Sequence, residues 1–114
     1  MTATAGYVQV ATTHDDRQEA DRLAALLVGA RLAACSQVDG PITSTYWWQG
    51  QLETAAEWRI TFKTRAALTD ALVKALGTAH SYDVPEIVVT PLVAGLPAYL
   101  EWIDAETTDG PVEA

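Results

Sequence analysis

Apolar and polar residues alternate with period two from Tyr7 to Thr13, in a stretch carrying β-branched side chains, and this predicts a first strand. The period then lengthens. Ala20, Leu23, Ala24, Leu27 and Val28 recur at helical spacing and form one apolar stripe. Thr13 with Asp16 three residues on resembles a capping box, and Asp15, Asp16 and Glu19 suit the positive end of a helix dipole. Gly29 and Arg31 mark the end of this helix. From Leu32 to Lys63 the pattern is again that of strands, interrupted at Val38-Asp39-Gly40-Pro41, where Gly and Pro predict a bulge or bend. Gln49-Gly50 separates two β-branched and aromatic runs and predicts a hairpin tip. In the second arm Trp58, Ile60 and Phe62 share one face, and Arg59, Thr61 and Lys63 share the other.

Leu68, Leu72, Val73, Ala75 and Leu76 define a second amphipathic helix, with Thr64 as its expected N-cap and Gly77 as its expected stop. Ile87-Val88-Val89-Thr90 reads as a short buried strand. Pro97 opens a last helix that carries Tyr99, Leu100, Trp102 and Ile103. The order is β-α-β-β-α-β-α. It predicts an α+β, ferredoxin-like split βαβ sandwich: a four-stranded antiparallel sheet, two helices on one face, and a C-terminal helix. The expected organisation is a flexible N-terminus (1–6), one domain (7–104) and an acidic tail (105–114). A long aromatic hairpin on a sheet with one uncovered face predicts a homo-oligomer.

Composition narrows the functional classes. Fifteen Asp and Glu face seven Lys and Arg, for a formal net charge of −8 over 114 residues. A sequence-independent nucleic-acid binder needs clustered bases, so nucleic acid is an unexpected partner, while cations are plausible ones. No apolar run approaches the roughly 18 residues of a membrane helix. A single cysteine, Cys35, excludes an intramolecular disulfide, and a cytoplasmic location is expected. Phosphate loops and nucleophile elbows are absent, and Thr12-Thr13-His14-Asp15-Asp16 is acidic where an acylphosphatase would carry an Arg loop. No catalysis is expected.

Three residues are candidate metal ligands. Cys35 is the one soft ligand, suited to copper(I) or zinc, although a lone cysteine reads first as a small buried hydrophobe. His80 is the better-exposed candidate, with Tyr82, Asp83 and Glu86 close behind it; an imidazole with carboxylates suits copper(II) or zinc. Its competing role is a helix C-terminal histidine beside the last carbonyls. Glu86 follows Pro85 at a strand start and is expected to pair with Lys63, as a structural ion pair or as part of a site. His14 reads as a first-turn surface residue. Tyr46, Trp48, Tyr82 and Trp102, with Lys63 and Glu86, are expected to line a cleft between subunits, as interface or as pocket.

Several segments together resemble the CutA family of divalent-ion tolerance proteins, from Tyr7 to Ile103. They are Ala11-Thr12-Thr13, Arg31-Leu32-Ala33-Ala34-Cys35, Tyr46-x-Trp48-x-Gly50, Phe62-Lys63-Thr64-Arg65, His80-x-Tyr82-x-Val84-Pro85-Glu86-Ile87 and Ala94-Gly95-x-Pro97-x-Tyr99-Leu100-x-Trp102. The resemblance implies a homotrimer in the cytoplasm or an organelle, involved in tolerance of copper and other divalent cations. It also implies architectural likeness to the PII signalling trimers, whose inter-subunit clefts take small ligands. Ser81, Asp83 and Leu96 depart from the family pattern, which often has proline, glutamate and a helix-capping serine there.

Overall fold

The computed structural model describes residues 6–108. Its elements are β1 (Tyr7–His14), α1 (Arg17–Gly29), β2 (Cys35–Trp48), β3 (Gln51–Arg65), α2 (Thr69–Ala79), β4 (Ile87–Leu92) and α3 (Pro97–Glu106), with a 3-10 turn (Ala66–Leu68) before α2. The strands form one antiparallel sheet in the order β2-β3-β1-β4. This is the expected split βαβ arrangement.

The core is the meeting of two periodicities. Val8 and Val10 of β1 and Ile60 and Phe62 of β3 lie in register on one face (Val10 opposite Phe62) and pack with Leu23 and Leu27 of α1 and Leu72 and Leu76 of α2. The opposite face carries Tyr7, Cys35 and Arg65, and α3 lies against it there. The Tyr7 hydroxyl donates to Asp104 at 2.6 Å, and Arg65 Nε donates to the Thr107 hydroxyl at 2.9 Å.

Helix α1 begins at Asp16, not at Thr13. The Asp16 carboxylate accepts the amides of Gln18 and Glu19, while Thr13 remains in β1. The helix ends in a Schellman motif: the Arg31 amide bonds the Val28 carbonyl and the Leu32 amide bonds the Leu27 carbonyl. The left-handed position, φ 64°, falls on Arg31 rather than on a glycine. Its side chain holds Glu106 at 2.9 Å, and its carbonyl accepts the Thr108 amide, so the end of α1 is tied to the end of α3.

The interruption in β2 is a bulge, with the pairing register shifting between Asp39 and Ile42. Gly40 has φ +144°, and a Cβ there would sit 2.9 Å from Trp58 Cδ1 and 3.0 Å from the Glu57 carbonyl oxygen. Gln49 and Gly50 both adopt positive φ, 49° and 79°, which matches the right-handed twist of the hairpin they close. β1 pairs with β3 only as far as Trp58. Beyond it β2 and β3 continue alone as a two-stranded ribbon, with Tyr46, Trp47, Trp48 and Leu52 exposed.

Several expectations are corrected. Thr64 does not cap α2; it is the penultimate residue of β3, fully buried, and its hydroxyl donates to the Leu32 carbonyl. Gly77 lies inside α2, which runs on to Ala79 until His80 turns extended. β4 is not a buried strand but a sheet edge, with Val88 and Val89 exposed. α3 runs to Glu106, and Thr107 is buried with its hydroxyl donating to the Ile103 carbonyl, so the first residues assigned to the acidic tail are packed. The rest of that tail and most of the N-terminal segment lie outside the described residues.

Candidate functional site

The expected metal ligands do not come together. Among the described residues no group of three His, Cys, Asp or Glu side chains is placed to hold a metal ion. Cys35 is half-buried at the start of β2, and its Sγ lies 3.5 Å from the Tyr99 hydroxyl. That contact and burial push the Tyr99 phenol up to about 12. His80 sits beyond α2, level with the other end of β1. It is buried rather than exposed, and both ring nitrogens are engaged. Nδ1 accepts the Tyr82 amide at 3.1 Å, so Nε2 carries the proton and donates to the Thr13 carbonyl at 2.8 Å. Burial holds its pKa below the ordinary imidazole value, against the opposing effect of the Thr13 bond.

Lys63 and Glu86 are not partners within the chain. Lys63 pairs across strands with Cys35 and Gln9, and its amine donates to Gln37 at 2.9 Å. Glu86 is exposed before β4, its carbonyl accepting the Thr12 hydroxyl at 2.6 Å. Trp102 also lies apart, stacked on Tyr99 against α3's own surroundings.

The other four expected pocket residues do meet. Tyr46, Trp48, Tyr82 and Glu86 line one open cleft of about 870 Å³. One wall is the ribbon, with Trp47 between Tyr46 and Trp48; the other is the loop from Ser81 to Glu86, and Thr13, Asp15 and Glu57 complete the lining. The position of the loop is fixed by a ring cluster the sequence reading did not foresee. His14, read there as a surface residue, is buried at the end of β1. Its ring centroid is 5.0 Å from that of His80 and 4.9 Å from that of Tyr82, and His80 and Tyr82 are 4.6 Å apart. His14 Nδ1 accepts the Asp16 amide at 3.0 Å, so Nε2 donates to the Ser81 hydroxyl at 2.7 Å.

Tyr82 connects the cluster to the cleft. Its hydroxyl accepts the Asp15 amide at 2.9 Å and donates to Glu57 Oε2 at 3.0 Å. Burial, then the Glu57 carboxylate, raises its pKa well above the ordinary phenol value. Two signals for this cluster were present in the sequence. The alternation Val8, Val10, Thr12 extends to His14 on the same face. Tyr82 lies two residues past His80, within reach of its ring. Nothing local flagged Glu57, which is in phase with the polar residues of β3 yet is buried.

The architecture defines a class: a ferredoxin-like α+β sandwich with a third helix, a projecting aromatic ribbon and a cleft beside it. The CutA1 divalent ion tolerance protein family matches residues 8–106. The chain is 37% identical over 102 residues to chloroplastic CutA 1 of Oryza sativa subsp. japonica, covering 90% of this chain and 58% of that one. It is 37% identical over 98 residues to the divalent-cation tolerance protein CutA of Escherichia coli, covering 86% and 88% of the two. The chain thus spans little more than half of the plant relative. Among solved structures, CutA1 from Oryza sativa superimposes with a TM-score of 0.89 at 36% identity, covering 96% of this chain and 100% of that one. The corresponding values for CutA from Xylella fastidiosa are 0.87, 35%, 91% and 100%. This chain belongs to the CutA divalent ion tolerance family.

The relatives correct one expectation. Those from Oryza sativa and Arabidopsis thaliana are named chloroplastic. The CutA structure from Archaeoglobus fulgidus, with a TM-score of 0.84, 34% identity and coverage of 88% and 97%, is described as periplasmic. A lone cysteine is compatible with any of these compartments, so the cytoplasmic location is not supported.

Proposed function

We propose that this chain acts as a homotrimer in divalent-cation tolerance, binding divalent cations, copper foremost, without catalysis. Membership of the CutA family carries the reading, and the exposed carboxylates of Asp83 and Glu86 beside the cleft support it. The apolar side chains of the ribbon and the β4 edge, exposed in the single chain, suit burial against further copies. With no complete ligand set in one chain, a metal site is shared between subunits, with Glu86 or Cys35 contributing. His80 is a positioning residue, since both its nitrogens are used internally. Sedimentation equilibrium tests the assembly, and a monomer at micromolar concentration would refute it. Calorimetric titration with copper(II) and zinc tests the site. Glu86→Ala and Cys35→Ser are expected to weaken binding, in trimer rather than chain stoichiometry. Wild-type binding no tighter than that of an unrelated acidic protein would refute the metal reading.

A second reading follows from the cleft itself. Four of the six residues expected in a pocket line one cavity in a single chain, of a size suited to a small molecule. This supports a PII-like small-ligand module, tested by thermal-shift screening. A ligand at 100 times its Kd should stabilise by about 2.7 kcal/mol.

A further inference from the structure

We propose that the cleft between the ribbon and the Ser81–Glu86 loop takes an organic ammonium ion, held by the faces of Tyr46 and Trp48 and by the carboxylate of Glu57. The inference rests on the second reading above, that this cleft is a small-ligand site, and names the ligand's chemical class.

Charge is the first argument. Asp15, Glu57, Asp83 and Glu86 all line the cleft, and no Lys, Arg or His does. An anionic metabolite would meet four like charges and no counter-ion.

Glu57 is the second argument. It is 8% exposed, and one of its oxygens accepts the Tyr82 hydroxyl. The other oxygen has no hydrogen-bond partner among the described residues, and Glu57 makes no ion pair there. A carboxylate so far removed from water is costly unless a cation meets it. Tyr82 supplies a hydrogen bond but no charge. The neighbouring His80 ring is held neutral by burial and by its own bonds. The compensating cation therefore comes from outside the chain.

The walls decide what kind of cation. A small hydrated metal ion needs several oxygen or nitrogen ligands converging on one point, and the described residues offer no such group. Indole and phenol faces are poor metal ligands. They attract weakly hydrated cations through the ring quadrupole, and they present apolar surface to alkyl substituents. Tyr46 and Trp48 are 41% and 55% exposed, so their rings are available in the single chain. At about 870 Å³ the cleft is larger than one ion needs and lies within the range typical of small-molecule sites.

The test uses choline, the alcohol in which carbon replaces its quaternary nitrogen, and an anion of similar size such as butyrate. Each is titrated into the full chain and followed by tryptophan fluorescence and calorimetry. The expected result is saturable quenching by choline, with binding at least tenfold tighter than for the uncharged isostere, weakening as salt is raised. Glu57→Gln, checked for folding by circular dichroism, should remove that preference. Trp48→Leu, which keeps apolar bulk, should weaken choline more than the isostere. If the isostere or the anion binds as well as choline, the cleft is a ligand site but the charge assignment is wrong. If none of the three binds while folding is intact, both the assignment and the small-ligand reading fall. The latter outcome is expected if a lysine or arginine of a second copy meets Glu57.

Discussion

Replacing Tyr82 with phenylalanine isolates the link between the ring cluster and the cleft. The ring is kept, so its stacking with His14 and His80 is preserved in shape. Only the hydroxyl goes, and with it one bond donated to the buried Glu57 carboxylate and one accepted from the Asp15 amide. A hydrogen bond to a charged group contributes roughly 1.5–3 kcal/mol. Asp15 is exposed, so water replaces its lost partner at little cost. The expected loss is about 2–3 kcal/mol, most of it from leaving Glu57 without its donor. For a chain of 114 residues, with an unfolding entropy of roughly 2.1 cal/mol/K per residue, that is a fall in Tm of about 8–12 °C. Wild type and variant should be compared at equal protein concentration, because association makes Tm concentration-dependent. Glu57→Gln provides the control. If the loss comes through the Tyr82–Glu57 bond, the double variant should be destabilised by clearly less than the sum of the singles. A Tyr82→Phe Tm within about 2 °C of wild type, or strict additivity with Glu57→Gln, would refute the reasoning.

Three further predictions concern stability. His80 is held below its ordinary pKa in the folded chain, so the unfolded chain binds more protons as pH falls below about 6.5. Its contribution is therefore complete above about pH 6.5 and is lost as pH drops through the folded value; urea midpoints from pH 8 to pH 5 should decline, and His80→Gln should flatten that decline. Gly40→Ala forces a Cβ to 2.9 Å from Trp58 at φ +144° and should cost about 2–4 kcal/mol by urea denaturation; an effect under about 0.5 kcal/mol would mean the bulge adapts freely. Leu96→Ser should raise stability by about 0.5–1 kcal/mol, because Leu96 occupies the α3 N-cap with no side-chain bond to the free amides.

The two periodicities were enough to read the sheet order, the hairpin tip and the bulge, because each rests on local alternation or on residues with restricted φ. The misread boundaries have particular causes. Thr64 looked like a cap, but the β3 pairing with β1 continues through it to Arg65, and its hydroxyl is taken by Leu32. Ile87 to Thr90 looked like an interior strand because its apolar residues face outward in the single chain, where association rather than the core covers them. The site was harder to read. Tyr46, Trp48, Tyr82 and Glu86 were grouped correctly, but Lys63 and Trp102 were drawn in by composition alone. Glu57 becomes part of the cleft only through Tyr82, 25 residues away, and no local pattern encodes that meeting.

The ribbon beyond Trp58 has a consequence for exchange with solvent. Each strand there has a single neighbour, so about half of its amides are bonded across the hairpin and the alternate half point outward. In a lone chain the outward amides have only water as partner, and an isolated two-stranded hairpin is at best marginally stable. Deuterium uptake at these positions is thus a residue-by-residue gauge of whether another strand lies alongside. Slow exchange that speeds up on dilution would identify the ribbon as the seam along which the assembly opens.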